Sequence, residues 1–200
     1  MTESPAPIPI PKGQGTAVSA LAFIAALGAV APGQGWLDSA EFVAGAHTLG
    51  VVHPPGHPLY LLLAKGFSLF IPLGGVAFRI GLLSAVCGAV AVFALSRIAW
   101  RLAATFGASE RLASALATTA GLVLMASGAH LAESARPEVY ALNVALVLLA
   151  FERALCFLET GLESHVRLGV VWLGLGLCKH HYLVALAVPG LLAALALRPD

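Results

Sequence analysis

The chain has 200 residues, of which 59% are hydrophobic and only 10% are Asp, Glu, Lys or Arg. Mean hydropathy is +0.90. Eleven basic and ten acidic side chains cannot clothe a water-facing surface, since soluble domains carry about 25% charged residues. The composition excludes a soluble globular domain and implies an integral membrane protein. A net charge of +1 gives no footprint for a nucleic-acid backbone. Cys87, Cys156 and Cys178 are odd in number and lie inside apolar runs, which excludes a disulfide scaffold.

Residues 1–15 hold four prolines and read as a disordered tail. A membrane-spanning helix takes about 20 mostly apolar residues. Residues 16–31 form a first span. Ala29-Val30-Ala31 fits a signal-cleavage pattern, but Pro32 follows it and the tail offers only Lys12 against Glu3. An uncleaved anchor is expected. Residues 58–72 are apolar but bounded by prolines and interrupted by Lys65. They cover roughly 21 Å, short of a hydrocarbon core of about 30 Å. Further spans fall at 80–96, between Arg79 and Arg97, at 112–132, and at 139–158, where Glu152 and Arg153 can reach the headgroups. Residues 168–178 and 182–197 form a hairpin around Lys179, His180 and His181. The expectation is an all-α integral membrane protein with about six membrane helices.

Charge bias orients it. If 58–72 lies in the interface and the N-terminus is cytoplasmic, Lys12, Arg97, Arg101, Arg111, Arg153, Arg167 and Arg198 fall inside. Only Lys65, Arg79, Arg136 and Lys179 fall outside or in the membrane. If 58–72 crossed, six of the seven would face outward, against the positive-inside rule. The reading is a cytoplasmic N-terminus and a long first outer loop, about residues 32–78, carrying an interfacial helix.

This topology gathers an unusual set on the outer side. The first outer loop carries Asp38, Glu41, His47, His53 and His57, and the second His130, Glu133, Arg136 and Glu138; the polar turn adds Lys179, His180 and His181. Ionisable groups at membrane depth usually face a cavity or one another. Both signs at one level suggest a site that handles an anion and moves a proton. Each member also has a plain structural reading. Asp38-Ser39-Ala40-Glu41 is a capping-box pattern. His53-Pro54-Pro55-Gly56-His57 spaces two imidazoles as a metal helix does, but two prolines and a glycine oppose a helix and no third ligand is marked. Arg136-Pro137-Glu138 is an ordinary helix start, and Lys179 can snorkel.

The run Asp38-Ser39-Ala40-Glu41-Phe42, then HTLGVVHPPGHPLYLLLAK over 47–65, Arg79 opening a span, and PEVYALN over 137–143 resembles one membrane family. That family was long labelled a domain of unknown function and includes protein O-mannosyltransferases that modify receptor ectodomains. More widely the chain is similar to the GT-C superfamily of polyprenyl-phosphate-sugar-dependent glycosyltransferases. The resemblance covers about residues 16–198. It departs at Ala40, where the family usually has Gly, at His57, where it has Tyr, and at Arg136-Pro137-Glu138, where Ala-Glu is commoner. Such enzymes are usually longer, so 16–200 corresponds to an N-terminal transmembrane catalytic module.

The resemblance implies an inverting glycosyltransferase acting at the outer face, protein O-mannosyltransferase-like, with a polyprenyl-phosphate sugar as donor and a protein or glycan hydroxyl as acceptor. Asp38 is the expected base, with Glu41 orienting it or substituting for it. Arg136 and Lys179, then His180 and His181, are expected to meet the phosphate. His53, His57, Glu138 and Tyr140 line the pocket. A monophosphate carrier has little charge to neutralise, so neither metal nor cofactor is expected. The alternative is a non-catalytic subunit that binds the polyprenyl phosphate or aids assembly.

Overall fold

The computed structural model describes residues 9–33, 37–178 and 181–196. The described residues contain helices and no strand. In chain order the helices are α1 (Thr16–Ala29), α2 (Ser39–Thr48), α3 (Pro58–Phe70), α4 (Val76–Thr105), α5 (Glu110–Ala126), α6 (Gly128–Ser134), α7 (Tyr140–Thr160), α8 (Glu163–Leu177) and α9 (His181–Ala196). The chain is an all-α membrane protein. By length and composition α4 and α7 can each cross a membrane, and α5 with α6 makes a third, bent candidate. The other three of the six expected spans fall on α1, α8 and α9, which are shorter, about 21–24 Å at 1.5 Å per residue.

The axis of the bundle is α4. Its contacts give the directions of α1 and α7. Going up α1, Gly15 meets Ser96, Val18 and Ala22 meet Val92, and Ala26 and Val30 meet Ala85. These helices are antiparallel. Going along α7, Glu138 meets Ser84, Glu152 meets Arg97, and Glu159 meets Arg101. Thus α7 runs parallel to α4, and α5 with α6 carries the chain back between them. The bundle therefore has two ends. One holds the start of α4, the 50–57 loop and the start of α7. The other holds Arg97, Arg101, Glu152 and Glu159.

Small residues permit this packing. In lipid, helices associate through close van der Waals fit rather than exclusion from water. A Cβ added at Gly88 would lie 2.1 Å from the Ser134 hydroxyl, so α6 rests directly on α4. The largest buried cluster, with Phe42, Tyr60, Ile80, Val139, Leu142 and Leu146, joins α2, α3, α4 and α7 at the first end.

Three features differ from the sequence reading. The span expected at 112–132 breaks at Ser127, and the two pieces are bent by 69°. Ser127 ends α5 with an extended ψ of 119° and caps α6 by accepting the His130 N–H at 3.4 Å. Glu152 does not reach outward to headgroups. It shares the inward face of α7 with Ala145 and Cys156, at helical spacing, and is 2% exposed among three arginines. Within the expected tail, residues 11–15 form tight turns, and Ile10 packs against Trp100, Ala113 and Ala117 at the far end. Residues 1–8 lie outside the described residues.

The helix expected at 58–72 is α3. His57 precedes it and Pro58 is its first residue, where the missing N–H is harmless. Lys65 does not dangle into solvent. Its ammonium donates to the His47 carbonyl in the last turn of α2. Arg79 donates to the carbonyls of Ser68 (3.0 Å), Leu73 (3.2 Å) and Gly74 (3.1 Å). That ties the end of α3 to the start of α4.

Candidate functional site

Helix α2 buries Ser39, Phe42, Val43 and Ala46, a single stripe at helical spacing. Asp38 stands at its N-cap position but its side chain makes no capping bond. Its backbone is already right-handed helical, whereas a capping residue normally sits in the extended region. The capping box suggested by the sequence does not form. The Asp38 carboxylate instead lines a cavity of about 110 Å³, with Phe42, His53, Pro54, Pro55, His57, Glu138, Val139 and Tyr140.

The second wall is the loop after α2. A Cβ at Gly45 would lie 2.5 Å from Val52, so only glycine lets the loop fold this tightly onto the helix. That turn carries His53 back over the first turn of α2. Glu41 Oε1 accepts the His53 backbone N–H at 2.6 Å, and Oε2 pairs with His53 Nδ1 at 2.7 Å. These bonds hold the Glu41 carboxyl below its ordinary range, and the same contact raises the His53 imidazole. His57, 1% exposed and with a left-handed φ of 46°, lies edge-on to Phe42 and to His53, each at 5.4 Å between ring centres. As the sequence implied, HPPGH is a turn and not a helix.

The third wall comes from the lead into α7. The Ser84 hydroxyl on α4 donates to the Glu138 carbonyl at 3.3 Å and accepts the Glu138 N–H at 3.4 Å. Glu138 is 2% exposed, and burial pushes its carboxyl up, opposed by Arg136. The Val139 N–H reaches its Oε2 at 3.3 Å.

Asp38, His53, His57, Glu138 and Tyr140 all line one cavity. Glu41 lies beside it, turned to His53. Arg136 is not among the lining residues and pairs with Glu133 at 2.5 Å. Lys179 and His180 lie outside the described residues, and for His181 only its place at the start of α9 is described. Asp38, Glu41 and His53 each offer one ligand atom within 4.8 Å of the others, the only such trio among the described residues. Two of the three already satisfy each other.

Sequence reasoning missed Phe42, Pro54 and Pro55 as cavity walls, and Ser84 as the anchor of Glu138. The first three stand inside the first-loop motif, which is a signal. Ser84, one serine in an apolar span, gives none. Chemically, the cavity joins one exposed and one buried carboxylate with two imidazoles, groups able to accept or donate a proton at a substrate hydroxyl.

Fold and cavity together define a helical membrane protein with a polar pocket at one end of its bundle. Residues 38–200 match the family described as Protein O-mannosyl-transferase TMEM260 N-terminal domain, and the chain belongs to that family. It is 34% identical over 151 residues to Protein O-mannosyl-transferase TMEM260 of Mus musculus, covering 74% of this chain and 20% of the mouse protein. It is 41% identical over 56 residues to Protein O-mannosyl-transferase tmem260 of Dictyostelium discoideum, covering 27% of this chain and 7% of that protein. The chain spans about a fifth of the length of the mouse relative. No solved structure matches it.

Proposed function

We propose that this chain forms the membrane-embedded catalytic part of an inverting glycosyltransferase, which moves a sugar from a polyprenyl phosphate to a hydroxyl acceptor. The observation that carries the reading is the Asp38 carboxylate, released from capping and lining a cavity with His53, His57 and Glu138. The names of the two relatives support mannose as the sugar and a protein hydroxyl as the acceptor.

In this mechanism the acceptor oxygen attacks the anomeric carbon from the face opposite the phosphate. Asp38 takes the hydroxyl proton as the new C–O bond forms. The bond from carbon to phosphate oxygen breaks, and its electron pair leaves with the phosphate. That leaving group needs little protonation, so the demand is for cationic contacts. Arg136 and Lys179 supply them first, and His180 and His181 next. Arg136 would meet the phosphate by exchanging its Glu133 partner, since a guanidinium makes fork-like bonds to either. Glu138 and Tyr140 bound the sugar. No resident metal or cofactor takes part. The cavity end of the bundle faces outward and the Arg97–Glu152 end faces the cytoplasm, in keeping with the positive-inside bias.

The test is transfer to a serine- and threonine-containing peptide by the membrane-reconstituted chain, offered a panel of labelled polyprenyl-phosphate sugars and, separately, nucleotide sugars. The expected result is transfer from polyprenyl-phosphate mannose alone, with inverted configuration. Transfer only from a nucleotide sugar would refute the donor. Tight donor binding with no turnover would favour the binding-subunit alternative.

A further inference from the structure

Asp38 and Glu41 stand three residues apart at the start of α2, yet the cavity takes only one of them. Asp38 is among its lining residues and Glu41 is not. Glu41 is turned toward solvent, its side chain 43% exposed, and both of its oxygens close on one residue twelve positions away. One oxygen holds the His53 backbone and the other holds the His53 ring. Two bonds to the same residue fix where the loop runs and how the imidazole is turned.

Resting on the function proposed above, we propose that Glu41 is a positioning residue. It clamps the His53–His57 segment against α2 as a wall of the cavity, and it leaves the proton chemistry to Asp38. The geometry gives the clamp its reach. His53 is followed directly by Pro54, Pro55 and His57, which all line the cavity. The Gly56 N–H donates to the His53 carbonyl at 2.9 Å, closing the turn on itself. The His53 ring lies edge-on to Phe42 at 5.5 Å and to His57 at 5.4 Å. Releasing His53 from Glu41 therefore loosens the turn and the ring packing behind it. With Nδ1 given to Glu41, Nε2 is the ring nitrogen left to face a substrate, the orienting effect a carboxylate has on a histidine in many sites. The charged and titratable groups around His53 are Asp38 and Glu41 on α2, His57 at the start of α3, and Glu138 before α7.

The experiment is a double-mutant cycle on the reconstituted chain, with Glu41→Ala, His53→Ala and both together. Labelled polyprenyl-phosphate mannose is the donor, and kcat and KM are measured separately. Each single variant should raise donor KM about tenfold, the size of a lost charge-assisted bond, with kcat little changed. The double variant should be no worse than His53→Ala alone, because Glu41 acts only through His53. Glu41→Gln keeps one acceptor oxygen and should rescue part of the loss. A kcat collapse in Glu41→Ala of about a hundredfold or more with KM unchanged, the signature of a lost base, would overturn the proposal. So would losses that multiply in the double variant.

Hydrogen exchange over residues 50–57 supplies a readout that needs no activity. Protection there should fall in Glu41→Ala and be partly kept in Glu41→Gln. Unchanged protection in Glu41→Ala overturns the clamp. Should the unmodified chain transfer no sugar while Glu41→Ala loses protection, the proposed function fails and the clamp stands.

Discussion

Each end of the bundle hides a carboxylate that is 2% exposed, Glu138 near the cavity and Glu152 at the opposite end. Their surroundings are opposite in kind. Glu152 meets Arg97 at 2.9 Å, Arg101 at 3.5 Å, and Arg153, and Arg101 also pairs with Glu159. Every one of these charges is answered by another side chain of the protein. Glu138 has the N–H of its own neighbour Val139 and the more distant pull of Arg136, and it lines a cavity with Asp38, His53 and His57. The difference separates structure from chemistry. A closed ion network leaves nothing for a ligand to do, whereas carboxylates that share a cavity have room for a substrate between them.

Exchanging charge for an isosteric amide at each end should split activity from stability. Asp38→Asn should lower transfer by about 10²–10⁴-fold, the range for a lost general base, with thermal unfolding in detergent unchanged. Near-normal turnover would remove Asp38 as the base. Glu152→Gln should behave in the opposite sense. It strands guanidinium groups inside the bundle, a loss of roughly 3–5 kcal/mol, seen as a lower unfolding midpoint. The fraction still folded should turn over normally. Lost activity with intact stability would break the contrast between the ends.

A smaller effect probes the link between α4 and the cavity. Ser84→Ala removes both long bonds to the Glu138 backbone, about 1 kcal/mol, and should raise donor KM a few-fold without lowering kcat. An unchanged KM would show that Glu138 keeps its place without Ser84.

The smallest effect is in pH. His53 is raised by its bond to Glu41, so its part of the clamp is fully present below the ordinary value of 6.5 and is lost as pH rises through the raised value. Glu41 is lowered, so its part is present above 4.5 and is lost as pH falls through the lowered value. The coupling energy between the two residues should be flat from pH 4.5 to 6.5 and decline on both sides. Both groups are well exposed, so salt should weaken the coupling. A coupling that grows above pH 8 would contradict the assignment.

Much of this contrast is legible in the sequence, because charge is rare enough here to be informative. Arg79 and Arg97 mark off the apolar part of α4, the prolines define α3, and HPPGH announces a turn. Asp38 stands out because an acid in an apolar chain needs a reason. What stays hidden depends on contacts distant along the chain. The Glu41–His53 pair exists because Gly45 lets Val52 fold back, and a glycine in an apolar run does not say what will press against it. The break at Ser127 turns on one hydroxyl capping the next helix. Glu152 near a helix end reads as surface until α4 is placed beside it. Lys179 and His180, prominent in the sequence, lie outside the described residues.

The arginines that bracket α4 make it a gauge of bilayer thickness. Residues 80–96 between them are uncharged, which sets Arg79 and Arg97 about 27 Å apart along the helix. That spacing equals the hydrocarbon depth of a thin membrane, about 27 Å, and falls some 5 Å short of a thick one at about 32–33 Å. The mismatch is not absorbed at the lipid alone. Arg79 grips the carbonyls at the end of α3, α3 holds α2 through Lys65, and α2 carries Asp38. A membrane that draws Arg79 inward therefore tugs on the helix that carries Asp38 to the cavity, and lipid chain length becomes a variable of the cavity's shape.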